Sequence, residues 1–503
     1  MLRFKAKFLV LLFKALLALI TVSIPLLGVW FSSSLAAYFD GPIWLAGLVA
    51  LLFFPVLPLL WDWWATARWN RKQRERESEP ATVGIDGESA QAPSRILTFW
   101  DRLILRTLVV NLALLVSLGW LFPQTGFTAL SARGDWMLDR AEGQWAQPVR
   151  DGLFAAADGL EFLHQIAYDN PFDDYADDDG GVVPDPGERG EFPAKEGDDP
   201  TDTPEADREE GEDEDRPPIS WPPPDELHPL VADMPASEET SIESVANYIA
   251  ANESDPFYRV KALFDYVADR VEYDVDALSG TRPPQDAETV FETGKAVCAG
   301  YARLLIALGD HTGDEIVYVT GVSRDLDGEI GGAGPAWNAA RIEGSWYLMD
   351  PTWGAGHVGD EFNPSYNPAY LFTPPEVLIK SHFPDDDRWQ LLDAPLSRGE
   401  FVRQPTLRTP FFAEGLELIE PTRSQQRVGD EARVVVDNPE GRRILANVVG
   451  DSGEEGRCQV SGGARTVITC PLPSEGIWRV KLFSGDPQAR QFPMVGQLEV
   501  QGG

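Results

Sequence analysis

Metal-binding residues are scarce in this chain, which holds Cys 3 and His 5 in 503 residues. The cysteines are Cys298, Cys458 and Cys470, with no CxxC among them. The histidines are His164, His228, His311, His357 and His382, and no two stand at ligand spacing. No zinc site is expected, and no residue pattern calls for a cofactor. Positive charge is the second shortage: Lys+Arg number 42 against Asp+Glu 80, a formal net charge of −38. That balance excludes nucleic-acid binding as a function class, because phosphate contacts need clustered Lys and Arg.

The acid is concentrated. Between Asp169 and Arg216 there are 21 Asp/Glu and 4 Lys/Arg, which places 17 of the net negative charges in one stretch. With its prolines and few apolar residues this tract reads as an extended, solvated tether. DDYADDDGG within it lacks the first ligand and the closing Glu of an EF-hand, so it reads as spacer rather than calcium loop.

Charge nearly vanishes from three segments near the start: Phe8 to Trp30, Ile43 to Trp61 and Leu103 to Phe122. Each approaches the ~20 residues that cross ~30 Å of hydrocarbon. Lys14 and Arg106 interrupt the first and third close enough to an end to snorkel. The first run is too long for the core of a signal peptide, and two more spans follow. MLRFKAK precedes the first span, ARWNRKQRER follows the second, and the loop SSSLAAYFDGP between them has no Lys or Arg. The positive-inside rule then puts the N-terminus and the second loop in the cytoplasm, and everything after Phe122 outside. WMLDRAEGQWAQPVRDGLFAAADGLEFLHQI, within 129–166, has helical periodicity with a break expected near Pro148.

Globular patterning begins at Ile242. The second of two amphipathic helices carries Val260, Leu263, Phe264, Val267 and Val271 on one face, with Asp255 as cap and Pro256 at its first position. Further on, Cys298 opens a helix, AGYARLLIAL. The positive end of a helix dipole favours thiolate and nucleophilicity, while the plain alternative is a small buried core residue. PAWNAARI and SWYLMD read as a hairpin turned at Glu343-Gly344. That turn sets Ile342 opposite Ser345 and Asp350 opposite Trp337, with Pro335 two positions along the same face. A carboxylate at 350 would then orient an imidazole at 335, the arrangement a Cys–His–Asp relay needs.

VCAGYARLL followed by AWNAARIEGSWYLMDPTWGAG resembles the transglutaminase-like superfamily of papain-like folds. YLFTPPEVLIKSHFPDDDRWQLL, from Tyr370 to Leu392, narrows the resemblance to the kyphoscoliosis-peptidase and cytokinesis-protein branch. The resemblance implies Cys298 as nucleophile and Asp350 as third triad member. The middle member it implies is a histidine before AWN, where this chain has Pro335. Proline has no side-chain group that can move a proton. His357, just past the WGAG turn, is the candidate substitute base. His382 belongs to the SHFP of the domain body, and His311 ends the Cys298 helix. Trp337, Trp353 and Tyr273 are expected at the core and cleft wall.

From Leu407 to Val500 short alternating strands predict a small β-sandwich. A loop centred near Ala464 sets Cys458 opposite Cys470, a disulfide outside the cytoplasm or two reduced core thiols otherwise. The fold expected is α+β: three N-terminal transmembrane helices, a papain-like transglutaminase core and a C-terminal β-sandwich. The divisions are an anchor over 1–124, a helical stalk over 125–168, an acidic linker over 169–230, the core over 231–400 and the sandwich over 401–503. The partners expected are the lipid bilayer and an extracytoplasmic peptide or protein. The function expected is a catalytically impaired binding or scaffolding module in the cell envelope. The alternative is a cysteine-dependent peptidase or acyltransferase using Cys298 with a displaced base.

Overall fold

The computed structural model describes residues 2–39, 43–78, 97–138, 145–160, 220–278, 283–325, 328, 330–331, 335–359, 361–451 and 453–502. The acidic tract with DDYADDDGG, His164 and the side chain of Lys14 lie outside the described residues. The chain forms two compact units: Met1–Tyr168 with Arg398–Arg403, and Asp169–Ser397 with Gln404–Gly503.

The first unit is helical. Helix α1 (Leu2–Tyr38) runs beyond the expected span at both ends. The second apolar segment is broken, into α2 (Ile43–Leu51) and α3 (Leu57–Ser78). The break follows from Pro55, which has no N–H to donate, and Phe54 leaves helical geometry at φ −150° and ψ 117°. Helix α4 (Phe99–Leu121) starts with a capping box in which Thr98 and Asp101 satisfy each other's amides. Among the described residues, three helical stretches are long and apolar enough to cross a membrane: Leu19–Tyr38, Trp44–Glu75, which includes the break at Pro55, and Phe99–Leu121. Arg106 differs from the snorkelling expectation, since it pairs with Asp62 of α3, as Arg102 does at 3.0 Å. Two cations on one buried carboxylate lower the cost of keeping all three within an apolar bundle.

Helix α5 (Pro123–Arg133) ends well before Pro148, and the chain resumes as α6 (Ala146–Asp158). Pro148 therefore sits in the first turn of a helix, where the missing N–H has no intrahelical partner to lose, and it breaks nothing. The short helix Arg398–Arg403 belongs to this unit, with Arg403 bonded to Asp158 at 3.1 Å and stacked over Phe154.

The second unit begins at the described residue 220. Helices α7 (Ile242–Asn252) and α8 (Pro256–Arg270) pack on the helix that Cys298 opens. Asp255 caps α8 as expected, its Oδ1 accepting from the backbone N–H of Phe257 and Tyr258, with Pro256 at the first position. Val260, Leu263, Phe264, Val267 and Val271 are all buried. Asp265, on the same helix, accepts from Lys261 Nζ at 2.6 Å and from the His228 backbone N–H at 2.7 Å, which fastens the entering chain to the core.

Strand β1 (Glu272–Tyr273) pairs in parallel with β2 (Lys295–Ala296), and helix α9 (Ala287–Thr293) lies between them in sequence. Helix α10 (Cys298–Thr312) follows directly. The central sheet runs β3 (Glu315–Arg324), β4 (Ala336–Ile342) and β5 (Ser345–Met349), all antiparallel. The turn at Glu343 and Gly344 has φ of +52° and +91°, the left-handed pair that a two-residue hairpin requires. After helix α11 (Pro351–Ala355) come β6 (Gly356–Val358), β7 (Phe362–Pro364) and β8 (His382–Pro384), the last pairing with β3.

The rest of the unit is β-rich. A six-stranded sheet containing β9 (Thr406–Leu407) and a four-stranded sheet share one core, with Val434, Val436 and Ile468 facing Val448, Trp478 and Val480. Cys458 and Cys470 are joined by a disulfide within this layer.

Candidate functional site

Three local features hold Cys298 in place. Parallel pairing of β1 with β2 sets the strand that leads into it. Gln285, fully buried, accepts from the Val297 backbone N–H at 2.9 Å and fixes the turn before the helix. Gly300 lets α10 approach closely, since a Cβ there would lie 2.6 Å from Ala296 Cβ and 2.7 Å from Gln285 Oε1. Cys298 is thus the first residue of a fifteen-residue helix, only 7% exposed, and is not disulfide-bonded. It packs with Val297, Ala302, Ala277 and Ala336, with Tyr273 at the margin. Tyr273 is half-buried and stacked near Tyr301, whose hydroxyl donates to Val271 O at 2.7 Å. Burial pushes the Tyr301 phenol well above its usual range, so it remains a donor.

The hairpin has the expected register: Ile342 faces Ser345 and Asn338 faces Met349. Asn338 is fully buried and staples two elements, its Nδ2 donating to Ala302 O at 3.1 Å on α10 and to Val317 O at 3.2 Å on β3. Pro335 precedes β4, buried, and its carbonyl accepts from the Gly321 N–H at 3.3 Å. Through Ala336 it adjoins the Cys298 cluster.

Asp350 is 1% exposed and its carboxylate is shared among three donors. Oδ1 accepts from the backbone N–H of Thr352 at 2.8 Å and of Trp353 at 3.0 Å, capping α11. Oδ2 meets His382 Nε2 at 2.9 Å. The other ring nitrogen of His382, Nδ1, lies 2.8 Å from Ser381 Oγ. The imidazole is wedged edge-on between Trp337 and Trp353, with centroids 5.2 and 4.6 Å away. Both nitrogens are engaged and the ring is buried, so His382 acts here as a fixed support for Asp350.

Trp337 lies in the core at 1% exposure rather than on an open wall, whereas Trp353 is half-buried against Tyr370. His357 is exposed on β6. His311 closes the far end of α10, and His228 caps a short helix through Nδ1. The structure therefore gathers Cys298, Ala336 and Tyr273 in one cluster and Asp350, His382, Trp337 and Trp353 in another. Gln285, Asn338 and His382 carry positioning roles that composition and periodicity did not single out. His382 had a signal, the SHFP within the family-like stretch, but its partner lies 32 residues away in sequence.

A cysteine at a helix start, a buried carboxylate and an antiparallel hairpin after the helix define a class. Residues 243–351 match the family model described as the transglutaminase-like superfamily, and this part of the chain is a transglutaminase-like domain. Over 251 residues the chain is 32% identical to kyphoscoliosis peptidase of Mus musculus, covering 48% of this chain and 38% of that protein. Kyphoscoliosis peptidase of Homo sapiens is 32% identical over 190 residues, covering 36% of this chain and 29% of that protein. The Lim and transglutaminase domain protein ltd-1 of Caenorhabditis elegans is 35% identical over 96 residues, covering 17% of this chain and 13% of that protein. The chain thus spans well under half the length of the curated relatives it matches.

Proposed function

We propose that this chain is a membrane-anchored protein whose transglutaminase-like domain stands outside the cytoplasm and binds a peptide or protein segment without cleaving it. The observation that carries this reading is the pairing around Asp350. Its carboxylate is committed to two backbone amides and to His382, and the residue just before β4, next to Ala336 of the Cys298 cluster, is Pro335. Proline carries no side-chain group that can take a proton, so the position where the family resemblance expects the base offers none. Removing one member of a coupled triad can cost nearly as much as removing all of it. The domain then offers shape and surface rather than proton transfer, a role that folds of this kind can take once the chemistry is lost.

A second reading is a cysteine-dependent peptidase or acyltransferase acting through Cys298, with His357 as displaced base. Two observations favour it: two of the relatives are named kyphoscoliosis peptidase, and Cys298 sits at a helix N-terminus.

Alkylation of Cys298 by iodoacetamide, followed against pH in the full chain held in nonionic detergent, separates the two. The other cysteines are in a disulfide, so the label reports one site. The binding-module reading expects the slow profile of a buried thiol, rising only above the ~8.5 of a free thiol. It also expects Pro335→His to add a fast phase below about pH 7. A fast low-pH phase in the native chain that disappears in His357→Ala overturns this reading and establishes the enzyme.

A further inference from the structure

Helix α3 outlasts the membrane it would cross. The stretch that contains it, Trp44–Glu75, is 32 residues long, against the ~20 that span ~30 Å of hydrocarbon. The surplus is its charged end. Trp61, Trp63 and Trp64 are exposed, as indoles at the headgroup level are, and no Leu, Ile or Val follows them on α3. Beyond them come Arg68, Arg71, Lys72 and Arg74, all exposed. At ~1.5 Å per residue these lie ~6–15 Å past Trp64 along the helix. The headgroup layer is ~5–8 Å thick on each side and the Debye length is ~8 Å, so all four stand within reach of lipid phosphates.

The cations face away from the bundle. Asp62 marks the inner side of α3, since it pairs with Arg102 and Arg106 of α4. At ~100° per residue Arg71 lies ~180° round the helix from Asp62, with Arg68 and Arg74 ~60° to either side of Arg71. The Arg68 guanidinium stacks over Trp64, 5.2 Å from the ring centroid, which ties the charged end to the aromatic one. The nearby acid does not cancel the charge. Among the described side chains of α3 and α4 the cations are these four with Arg102 and Arg106, and the anions are Asp62, Glu75 and Asp101. Six less three leaves +3, however the partners are shared. Arg68 stands three and four residues from Arg71 and Lys72, spacings at which like charges repel, and an anionic surface offsets that repulsion.

We propose that the charged end of α3 binds the headgroups of anionic phospholipids. Several headgroups side by side match a fan of cations better than one small ion does. Guanidinium forks meet phosphate oxygens bidentately, and each Lys or Arg near such a surface adds an attraction that salt screens. The inference rests on the membrane-anchor reading proposed above and is independent of Cys298.

The test reconstitutes the full chain in phosphatidylcholine vesicles that carry a trace of spin-labelled phosphatidylglycerol or, in a parallel sample, spin-labelled phosphatidylcholine. Electron paramagnetic resonance reads the fraction of label that the protein immobilises. Flotation of the vesicles after an alkaline wash comes first: a chain stripped off by the wash is no membrane anchor, and the proposal falls with that reading. In the chain that floats, immobilisation should favour phosphatidylglycerol about threefold or more at low salt and approach parity at ~1 M salt. The combined variant Arg68→Gln, Arg71→Gln, Lys72→Gln and Arg74→Gln should lose the preference while keeping good helix formers in place. Arg71→Lys with Lys72→Arg should keep it, which separates loss of charge from misfolding. No preference in the native chain, or an undiminished preference in the fourfold variant, overturns the proposal and leaves the anchor standing. So does inorganic phosphate that abolishes the preference where chloride of the same ionic strength does not, because the surface is then one for free anions.

Discussion

At the scale of the residue, Asp350 shows how one carboxylate can be read two ways. Its place on the hairpin follows from the sequence, because the Glu343-Gly344 turn fixes the register and the face. Its bonding does not follow, because the imidazole it meets arrives on β8 after a long excursion. A supporting role has a measurable consequence. Asp350→Ala removes an N-cap and leaves the buried His382 Nε2 without its acceptor, together costing about 2–4 kcal/mol. His382→Ala opens a hole between two tryptophans and strands the carboxylate, at a cost of the same order. The thermal midpoint of the full chain in detergent should fall in both variants, while the alkylation rate of Cys298 at neutral pH changes less than about threefold in any His382 variant that remains folded. A His382→Gln protein that keeps its midpoint yet loses Cys298 reactivity would instead make His382 part of a working relay.

At the scale of the element, the legible parts were those set by local chemistry. Asp255 followed by Pro256 announces α8, and the five apolar residues on its face are all buried. Less legible were the ends of the apolar helices, since a hydrophobic run continues through Pro55 without a change in composition while the backbone does not. Likewise Pro148 looks like a break in one dimension and is a first-turn residue in three. Helix α9, which leads towards Cys298, offers a test of local capping. Asp286 accepts from the Thr289 backbone N–H at 2.9 Å and from its hydroxyl at 2.8 Å. Those bonds, the backbone one first, hold the Asp286 carboxyl below its usual range. A depressed folded-state value means the contribution is complete above the unfolded value of about 3.9 and is lost as pH falls through the folded one. Asp286→Ala should therefore cost about 1 kcal/mol at neutral pH, read as a lower unfolding midpoint, and the gap between the two proteins should close in acid. A gap that persists unchanged at low pH would mean the carboxylate is not what stabilises the cap.

At the scale of the whole molecule, the distribution of charge organises the chain. Lys and Arg cluster before the first apolar segment and after the second, whereas the acid follows the third. The proposed orientation rests on the Lys and Arg of those flanks, which are retained in the cytoplasm. The disulfide between Cys458 and Cys470 argues in the same direction, because such bonds persist where thiols are not kept reduced. The orientation has a direct test in intact cells producing the full chain. A protease that cannot cross the membrane should cut the acidic tract, which is rich in Pro and charge, and release a fragment carrying the transglutaminase-like domain and the disulfide. That fragment should migrate differently with and without reductant. The basic segment ARWNRKQRER should be cut only after the cells are permeabilised. If the large fragment appears only after permeabilisation, the domain faces the cytoplasm. An extracytoplasmic ligand is then excluded.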